Sequence, residues 1–311
     1  NDWIITNSFN LTAGTQYSLI FWAKAYSTNS YSLDVYYGNT QQSSSLTNLL
    51  GTVTGLTSTY RECQFNFTPE TSGTYFIGIK ETTTNSPSTS GLTIDDMSLQ
   101  VAENLYFNNA EVTQTLVTPV RTNSTNNRII GVKINIGGTI STINATNFAF
   151  NTNGTSNPLT DISNAKLYYT GSSSNFATNT LFGEIASPNG VFNITGNQSL
   201  LKGDNYFWLT FDVPETATIL NYLDAECTSI EIGGQAEAPD NTSVAGNRQV
   251  RGPLNGFYYV NNTQPTDLST GGTNYANFDD VFTDLNSVGV SGTVIFNIFA
   301  GQTFNATCSN V

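Results

Sequence analysis

Apolar and polar residues alternate along most of this chain, which is the period of a strand with one face buried in a sheet. The clearest run is RIIGVKINIGG at 128–138, where Ile130, Val132, Ile134 and Ile136 share a face. YSLIFWAKAY (17–26), SLDVYYG (32–38) and TYFIGIK (74–80) read as strands in the same way. In NYFWLTFDVP, Phe207, Leu209, Phe211 and Val213 hold one parity, and Tyr206, Trp208 and Asp212 the other. Turn clusters such as TPETSG and TNGTSNP separate the runs at the spacing of a β-sandwich. One run breaks phase. In GLTIDDMSLQV (91–101), Leu92 and Ile94 hold one parity and Met97, Leu99 and Val101 the other, with the exchange at Asp95–Asp96. A β-bulge at the two aspartates accounts for the flip and would turn both side chains to one side of the sheet.

Helical periodicity enters only near the end. From Asn274 to Gly289, Phe278, Val281, Phe282, Leu285 and Val288 line one helical face, with Asp279 and Asp280 in the first turns and Gly289 as the stop. GTVIFNIFAG (292–301) follows, apolar on both faces, the pattern of a parallel sheet or β-helix strand covered on both sides. An amphipathic helix before a first buried strand suits the cap of a solenoid.

Composition narrows the function. Ten Lys and Arg stand against 23 Asp and Glu, a net charge of −13, so phosphate backbones are repelled and nucleic-acid binding is excluded. No apolar run approaches the roughly 20 residues of a membrane span. Asn, Ser, Thr and Gly replace charge on the surface, the habit of secreted all-β proteins. Cys63, Cys227 and Cys308 lie far apart, are odd in number and lack CxxC spacing, so they read as small buried thiols rather than a disulfide or metal framework. N-x-S/T sequons such as Asn10-Leu11-Thr12 and Asn193-Ile194-Thr195 are no more frequent than this composition produces by chance. The chain opens in mid-strand without a signal peptide, so a fragment of a longer protein is expected.

Catalytic chemistry finds little to work with. There is no histidine, which removes Ser–His–Asp and Cys–His catalysis and His-ligated zinc. No glycine-rich nucleotide loop follows a strand and opens a helix, and no motif singles out a carboxylate pair for glycoside hydrolysis. Asp224 and Glu226 read as a solvent-facing pair on one strand face, and Asp279 and Asp280 as helix N-terminal charges. The chain is expected not to be an enzyme. Aromatics offer binding instead: Trp3, Trp22, Trp208, Tyr36, Tyr37, Tyr258 and Tyr259 are the candidates. Trp3 and Trp22 fall in strands expected to pack in the core, leaving Trp208, Tyr36 and Tyr37 as the ligand-binding choice.

Three stretches carry resemblances. NDWIITNSFNLTAGTQYSLIFWAKAY together with LTIDDMSL resembles the cleaved-adhesin or MAM-like jelly-roll modules of Bacteroidetes surface proteins, with Asn7 where the family usually has proline. NTNGT, DISNAKLYYTG, GNQSLLKGDNYFWLTFDV and LDAECTSIEIGG resemble a β-sandwich of flavobacterial secreted proteins that occurs beside sialidase-type or adhesin regions. Residues 253–308 resemble the entry into a right-handed parallel β-helix. ENLYFN (103–108) reads as native linker.

The resemblances imply an all-β chain of tandem sandwiches: a truncated jelly roll over 1–101, a second β-sandwich over 102–252, then a capping helix and the first strand of a parallel β-helix over 253–311. They also imply type IX export and an extracellular, cell-surface location. In jelly-roll modules a carboxylate on the closing strand often helps to hold structural Ca²⁺, so Asp95 and Asp96 are candidate metal ligands. The alternative is a solvated Asp95 with Asp96 accepting backbone N–H groups at the bulge. The function expected is a non-catalytic segment of a large, gliding-type surface adhesin, attaching to extracellular glycans or surfaces and acting as a rigid spacer among other modules of the same protein. An accessory region of a secreted polysaccharide-degrading or sialidase-like enzyme, and a purely structural stalk, are the alternatives.

Overall fold

The structure is a computed structural model and describes residues 2–26, 30–83 and 91–304. Contacts divide it into two compact units, residues 1–104 with 138–141, and residues 105–137 with 142–311. The fold is all-β throughout, 54% strand against 7% helix.

The first unit contains strands β1 (Trp3–Ile5), β2 (Phe9–Leu11), β3 (Tyr17–Ala25), β4 (Tyr31–Gly38), β5 (Asn48–Leu56), β6 (Arg61–Phe67), β7 (Gly73–Glu81) and β8 (Leu92–Val101). One sheet runs β1-β7-β4-β5, with β2 also on β7, and the other runs β6-β3-β8. All pairings within them are antiparallel. Alternation explains the sandwich core: Leu19, Phe21, Ala23 and Ala25 of β3 are buried with Leu33 and Val35 of β4 and Ile77 and Ile79 of β7. The phase flip on β8 is a bulge. Ile20 pairs with Ser98 and Trp22 with Asp95, so Asp96 and Met97 together lie opposite Phe21, and Asp96 has φ +49°. The extra residue lets Leu92 and Ile94, and then Met97 and Leu99, pack against the same core.

The second unit continues with β9 (Tyr106–Thr113), β10 (Val120–Arg121), β11 (Ser124–Gly137), β12 (Asn144–Asn151), α1 (Pro158–Asp161), β13 (Asn164–Tyr169), β14 (Leu181–Ala186), β15 (Val191–Ser199) and β16 (Gly203–Val213). Then come β17 (Tyr222–Leu223), β18 (Glu226–Ile232), β19 (Gln235–Glu237) and β20 (Arg248–Arg251). Sheets β14-β13-β16-β11-β9 and β15-β12-β18-β19 form its sandwich. Ile130, Val132, Ile134 and Ile136 point into a core that also holds Phe148, Phe150, Phe207 and Phe211. Arg248 is buried with no carboxylate partner among the described residues; its guanidinium donates to the carbonyls of Thr118, Arg128 and Pro119. Burial pulls its pKa down to about 10.

The remaining elements are β21 (Leu254–Val260), β22 (Asn274–Tyr275), α2 (Phe278–Ser287) and β23 (Val290–Ile298), and β21 pairs in parallel with both β22 and β23. The side chain of Asn277 caps α2 by accepting from Asp280 N at 2.8 Å, and Gly289, at φ +62°, takes the left-handed turn that ends it. Val281 and Val288 are buried as the helical pattern requires. Coverage of the last strand departs from the expectation. Val294 and Phe296 turn inward, but Ile295 on the opposite face is 41% exposed. Among the described residues no second layer lies on that outer face, so the strand is apolar on both sides while packed on one.

Candidate functional site

The exposed face of β3 places a tryptophan where the sequence pattern suggested core. Leu19, Phe21, Ala23 and Ala25 take the inward parity, which turns Trp22 and Lys24 outward, and Trp22 is 39% exposed. The expectation that Trp22 is core packing is therefore corrected; the Lys24 two residues on was the signal. Directly opposite Trp22 stand Glu62 on β6 and Asp95 on β8, and cross-strand partners share a face. Tyr60, one residue before β6 and 37% exposed, completes the group, with the Lys24 ammonium 4.4 Å from its ring centroid. Nothing in the sequence singled out Tyr60, whose role comes only from the register of β3 with β6.

Trp22, Tyr60, Asp95 and Asp96 line an open cleft of about 250 Å³. The bulge creates the acidic wall: both aspartates are exposed, and Asp95 Oδ1 accepts from Asp96 N at 2.9 Å. The extra amide of the bulge is thus satisfied by Asp95 rather than by Asp96. Asp95 and Asp96 bring two carboxylates to the position expected of a calcium site. Ca²⁺ takes roughly six to eight oxygens, and the described residues gather no group of three His, Cys, Asp or Glu able to hold a metal. What the cleft does offer is a flat indole beside carboxylate acceptors, suited to a ring with an apolar C–H face and a hydroxylated edge.

The other aromatics separate. Tyr36 and Tyr37 are adjacent on β4 and therefore face opposite ways. Tyr36 lies 5.4 Å from Trp3 and its hydroxyl donates to Asp34 Oδ2 at 3.1 Å. Burial, then Asp34, raises its pKa. Tyr37 packs 4.8 Å from Phe67 and 5.8 Å from Tyr75 and opens onto a polar cleft of about 530 Å³, with Asn39, Asn48, Glu70 and Thr74 among its walls. The two tyrosines do not form one platform. Tyr258 packs into the core around α2, and Tyr259 is 42% exposed beside Phe299.

Trp208 is buried, 7% exposed, instead of standing free as a platform. Its cross-strand partner is Gly131, and a Cβ built there would meet the indole at 2.7 Å, so the ring lies on bare backbone. Its N–H donates to Thr170 Oγ1 at 3.0 Å. Arg128 lies 5.2 Å above the ring, and a cleft of about 320 Å³ opens beside it on the outer face of β9, β11 and β16.

Asp224 and Glu226 are half-buried rather than solvent-facing. Asp224 Oδ1 accepts from Ala225 N at 2.8 Å, and burial raises its pKa to about 6. Asp279 and Asp280 occupy the first turn of α2. Cys63 and Cys227 are buried free thiols, and burial pushes Cys227 up to about 12. Cys308 lies outside the described residues.

Residues 108–236 match the family described as the N-terminal domain of BNR-repeat neuraminidase. No curated protein matches the chain. Among solved structures, a Hadza microbial sialidase, Hz136, is similar at 10% identity over 48% of this chain and 31% of that one, with a TM-score of 0.36. The chain thus spans about a third of that sialidase's length. The tandem CBM22 domain of Paenibacillus barcinonensis Xyn10C is similar at 10% identity over 66% and 74% of the two chains, TM-score 0.24. A fucolectin from striped bass (Morone saxatilis) serum is similar at 11% identity over 76% and 86%, TM-score 0.22. The class defined by fold and match is an all-β chain whose residues 108–236 resemble the N-terminal domain of BNR-repeat neuraminidase. No helix among the described residues is long and apolar enough to cross a membrane.

Proposed function

We propose that this chain is a non-catalytic, glycan-contacting segment of a larger extracellular protein, and that its first unit binds neutral sugars on Trp22. The carrying observation is the outward Trp22 ring in a cleft walled by Tyr60, Asp95 and Asp96. A pyranose lays its C–H face on the indole, and the carboxylates accept from vicinal hydroxyls with charge-assisted strength. Binding through one such shallow cleft is weak, and repetition along a long surface protein supplies the avidity an adhesin needs. The acidic, Lys-poor surface keeps neighbouring copies apart.

A glycan array probed with the described chain tests this. Signals on neutral oligosaccharides, falling about tenfold or more in Trp22→Ala, are expected. An array silent for the parent chain, or one unchanged by Trp22→Ala, would refute it. The family match over residues 108–236 favours a second reading, an accessory region of a sialidase-like enzyme. The two separate on the parent protein: a catalytic domain in the same polypeptide favours the accessory region, and serial sandwich repeats favour the adhesin.

A further inference from the structure

We infer that the outer face of the second unit's larger sheet carries a separate site, for a sugar bearing a carboxylate, built around Arg128. It goes beyond the neutral-sugar reading of the first unit and uses none of the same residues. The bulge between Arg128 and Ile130 shapes it. With the register shifted there, Ile129 and Ile130 are both buried, and Arg128 leaves the core side for the outer face. The guanidinium then lies over the Trp208 ring, 5.2 Å from its centroid, with Phe176 at 6.0 Å. Trp208 cannot shift beneath it, being held on Gly131 and by its bond to Thr170.

A stacked guanidinium keeps its N–H edge for a partner in its own plane, the geometry that takes a carboxylate bidentately. That edge is nearly idle. Among the described residues the Arg128 side chain makes a single long hydrogen bond, Nη2 to Thr115 Oγ1 at 3.4 Å, and no ion pair. Burial lowers its pKa, the mark of a cation partly stripped of water without a counter-ion in return. The other charges on the cleft cancel: Lys133 Nζ lies 2.7 Å from Glu111 Oε2. Arg128 is therefore the net charge of a cleft of about 320 Å³ in a chain that is otherwise strongly acidic.

The remaining walls suit a sugar better than a bare anion. Tyr206 is half-buried and stacks 6.5 Å from Trp208 at 13°, extending an aromatic floor beside the guanidinium. Thr113, Thr115 and Ser174 bring hydroxyls that can both donate and accept around a hydroxylated ring. A hexuronate and a sialate present the same carboxylate beside a ring, and the test separates them.

The intact chain is titrated calorimetrically with trigalacturonate, 3′-sialyllactose, lactose and sodium acetate. Saturable binding of one or both sugar acids is expected, with lactose and acetate at least about tenfold weaker and affinity falling as salt rises. Arg128→Gln should abolish the preference for the acid over lactose, and Arg128→Lys should restore only part of it. Because Arg128→Gln also removes a stacking partner of Trp208, Ser174→Trp is the second variant: it fills the cleft from an exposed loop position and should weaken binding alike. The inference is overturned if neither acid binds, if lactose or acetate matches the acids, or if both variants bind as the parent does. Whichever acid binds more tightly names the source of the carboxylate.

Discussion

Asp284 ties α2 to the sandwich, and removing its carboxylate should detach the C-terminal subdomain without unfolding the rest. The side chain is 5% exposed; its Oδ2 lies 2.7 Å from Arg251 Nη1 on β20 and accepts the Tyr275 hydroxyl at 2.9 Å. Tyr275 is fully buried. Burial raises the pKa of Asp284 even with Arg251 beside it, and raises that of Tyr275 as well. Asp284→Ala strands a buried guanidinium and a buried hydroxyl at once. Breaking one side of a buried ion pair costs about 3–5 kcal/mol. The local core that must absorb this is small: Leu254, Val260, Leu268, Tyr275, Val281 and Val288. At roughly 1.5–3 kcal/mol per buried side chain before conformational entropy is charged, the loss is a large share of the net. Native-state hydrogen exchange is the assay. Amides of α2 and β21 should lose protection by about 3–5 kcal/mol in Asp284→Ala, while those of β11 and β16 keep theirs. Asp284→Asn retains an acceptor and should cost about 1–2 kcal/mol. Replacing the pair together, Arg251→Met with Asp284→Leu, should cost less than Asp284→Ala, about 1–3 kcal/mol, because no charge is left behind and only the Tyr275 hydroxyl loses its acceptor. A loss below about 1 kcal/mol in Asp284→Ala, or an equal loss across both cores, would refute the assignment of the tie to this pair.

Trp22 and Trp208 should respond oppositely to truncation. Urea unfolding of the second unit should show Trp208→Ala costing about 3–5 kcal/mol, and that of the first unit Trp22→Ala costing less than about 1 kcal/mol; equal costs would contradict their different burial. Asp224 should weaken the fold as pH rises: its folded pKa of about 6 exceeds the 3.8 of a free aspartate, so the native state holds the proton longer and stability falls between those values. The full difference converts to ~3 kcal/mol, and solvent access to the half-buried carboxyl reduces it to about 1 kcal/mol. Asp224→Asn should flatten that part of the stability–pH curve, measured by denaturant titration from pH 4 to about 7. Chelation tests the calcium expectation at Asp95–Asp96: a fall of several degrees in melting temperature, reversed by added calcium, would establish a site there, and an unchanged melting temperature would rule the ion out.

Local pattern made the strands, the helix and the bulge legible. Alternation at Ile130 to Ile136 specified an inward face, and each of those residues is buried. The helix pattern from Phe278 to Val288 placed Val281 and Val288 on the packed side, and the flip at Asp95–Asp96 located the extra residue of β8. These features depend on neighbours a few positions apart, and short-range period encodes them directly. Alternation does not say what covers the opposite face. On β16 Trp208 and Asp212 hold the parity opposite the core-facing Phe207, Leu209, Phe211 and Val213, yet both are buried, as is Thr210 between them. Their cover comes from distant segments: Asp212 binds Lys166 at 2.6 Å, and Trp208 is roofed by Arg128 and Phe176. The reverse holds on β23, where apolar residues on both faces suggested two covered sides and only one is packed.

The binding residues were harder to read for the same reason. A ligand platform requires an aromatic ring left open while its neighbours are positioned, so it depends on register rather than residue type. Trp22 and Trp208 both sit mid-strand with clean alternation around them. What separates them is the residue across the strand: Trp208 faces Gly131, which invites the ring down onto the backbone, whereas Trp22 stands between the exposed residues Glu62 and Asp95, which leave the indole uncovered. Arg128 follows the same logic, because the bulge at Ile129 turns it outward and Trp208, some 80 residues away in sequence, lies beneath it. Exchanging the strand partners should therefore move the platforms. A Gly131→Asp variant should force the Trp208 indole off the sheet and disorder Arg128, seen as a red-shifted tryptophan emission. An unshifted emission would show that the indole is held by Thr170 alone and that Gly131 has no part in forming the second site.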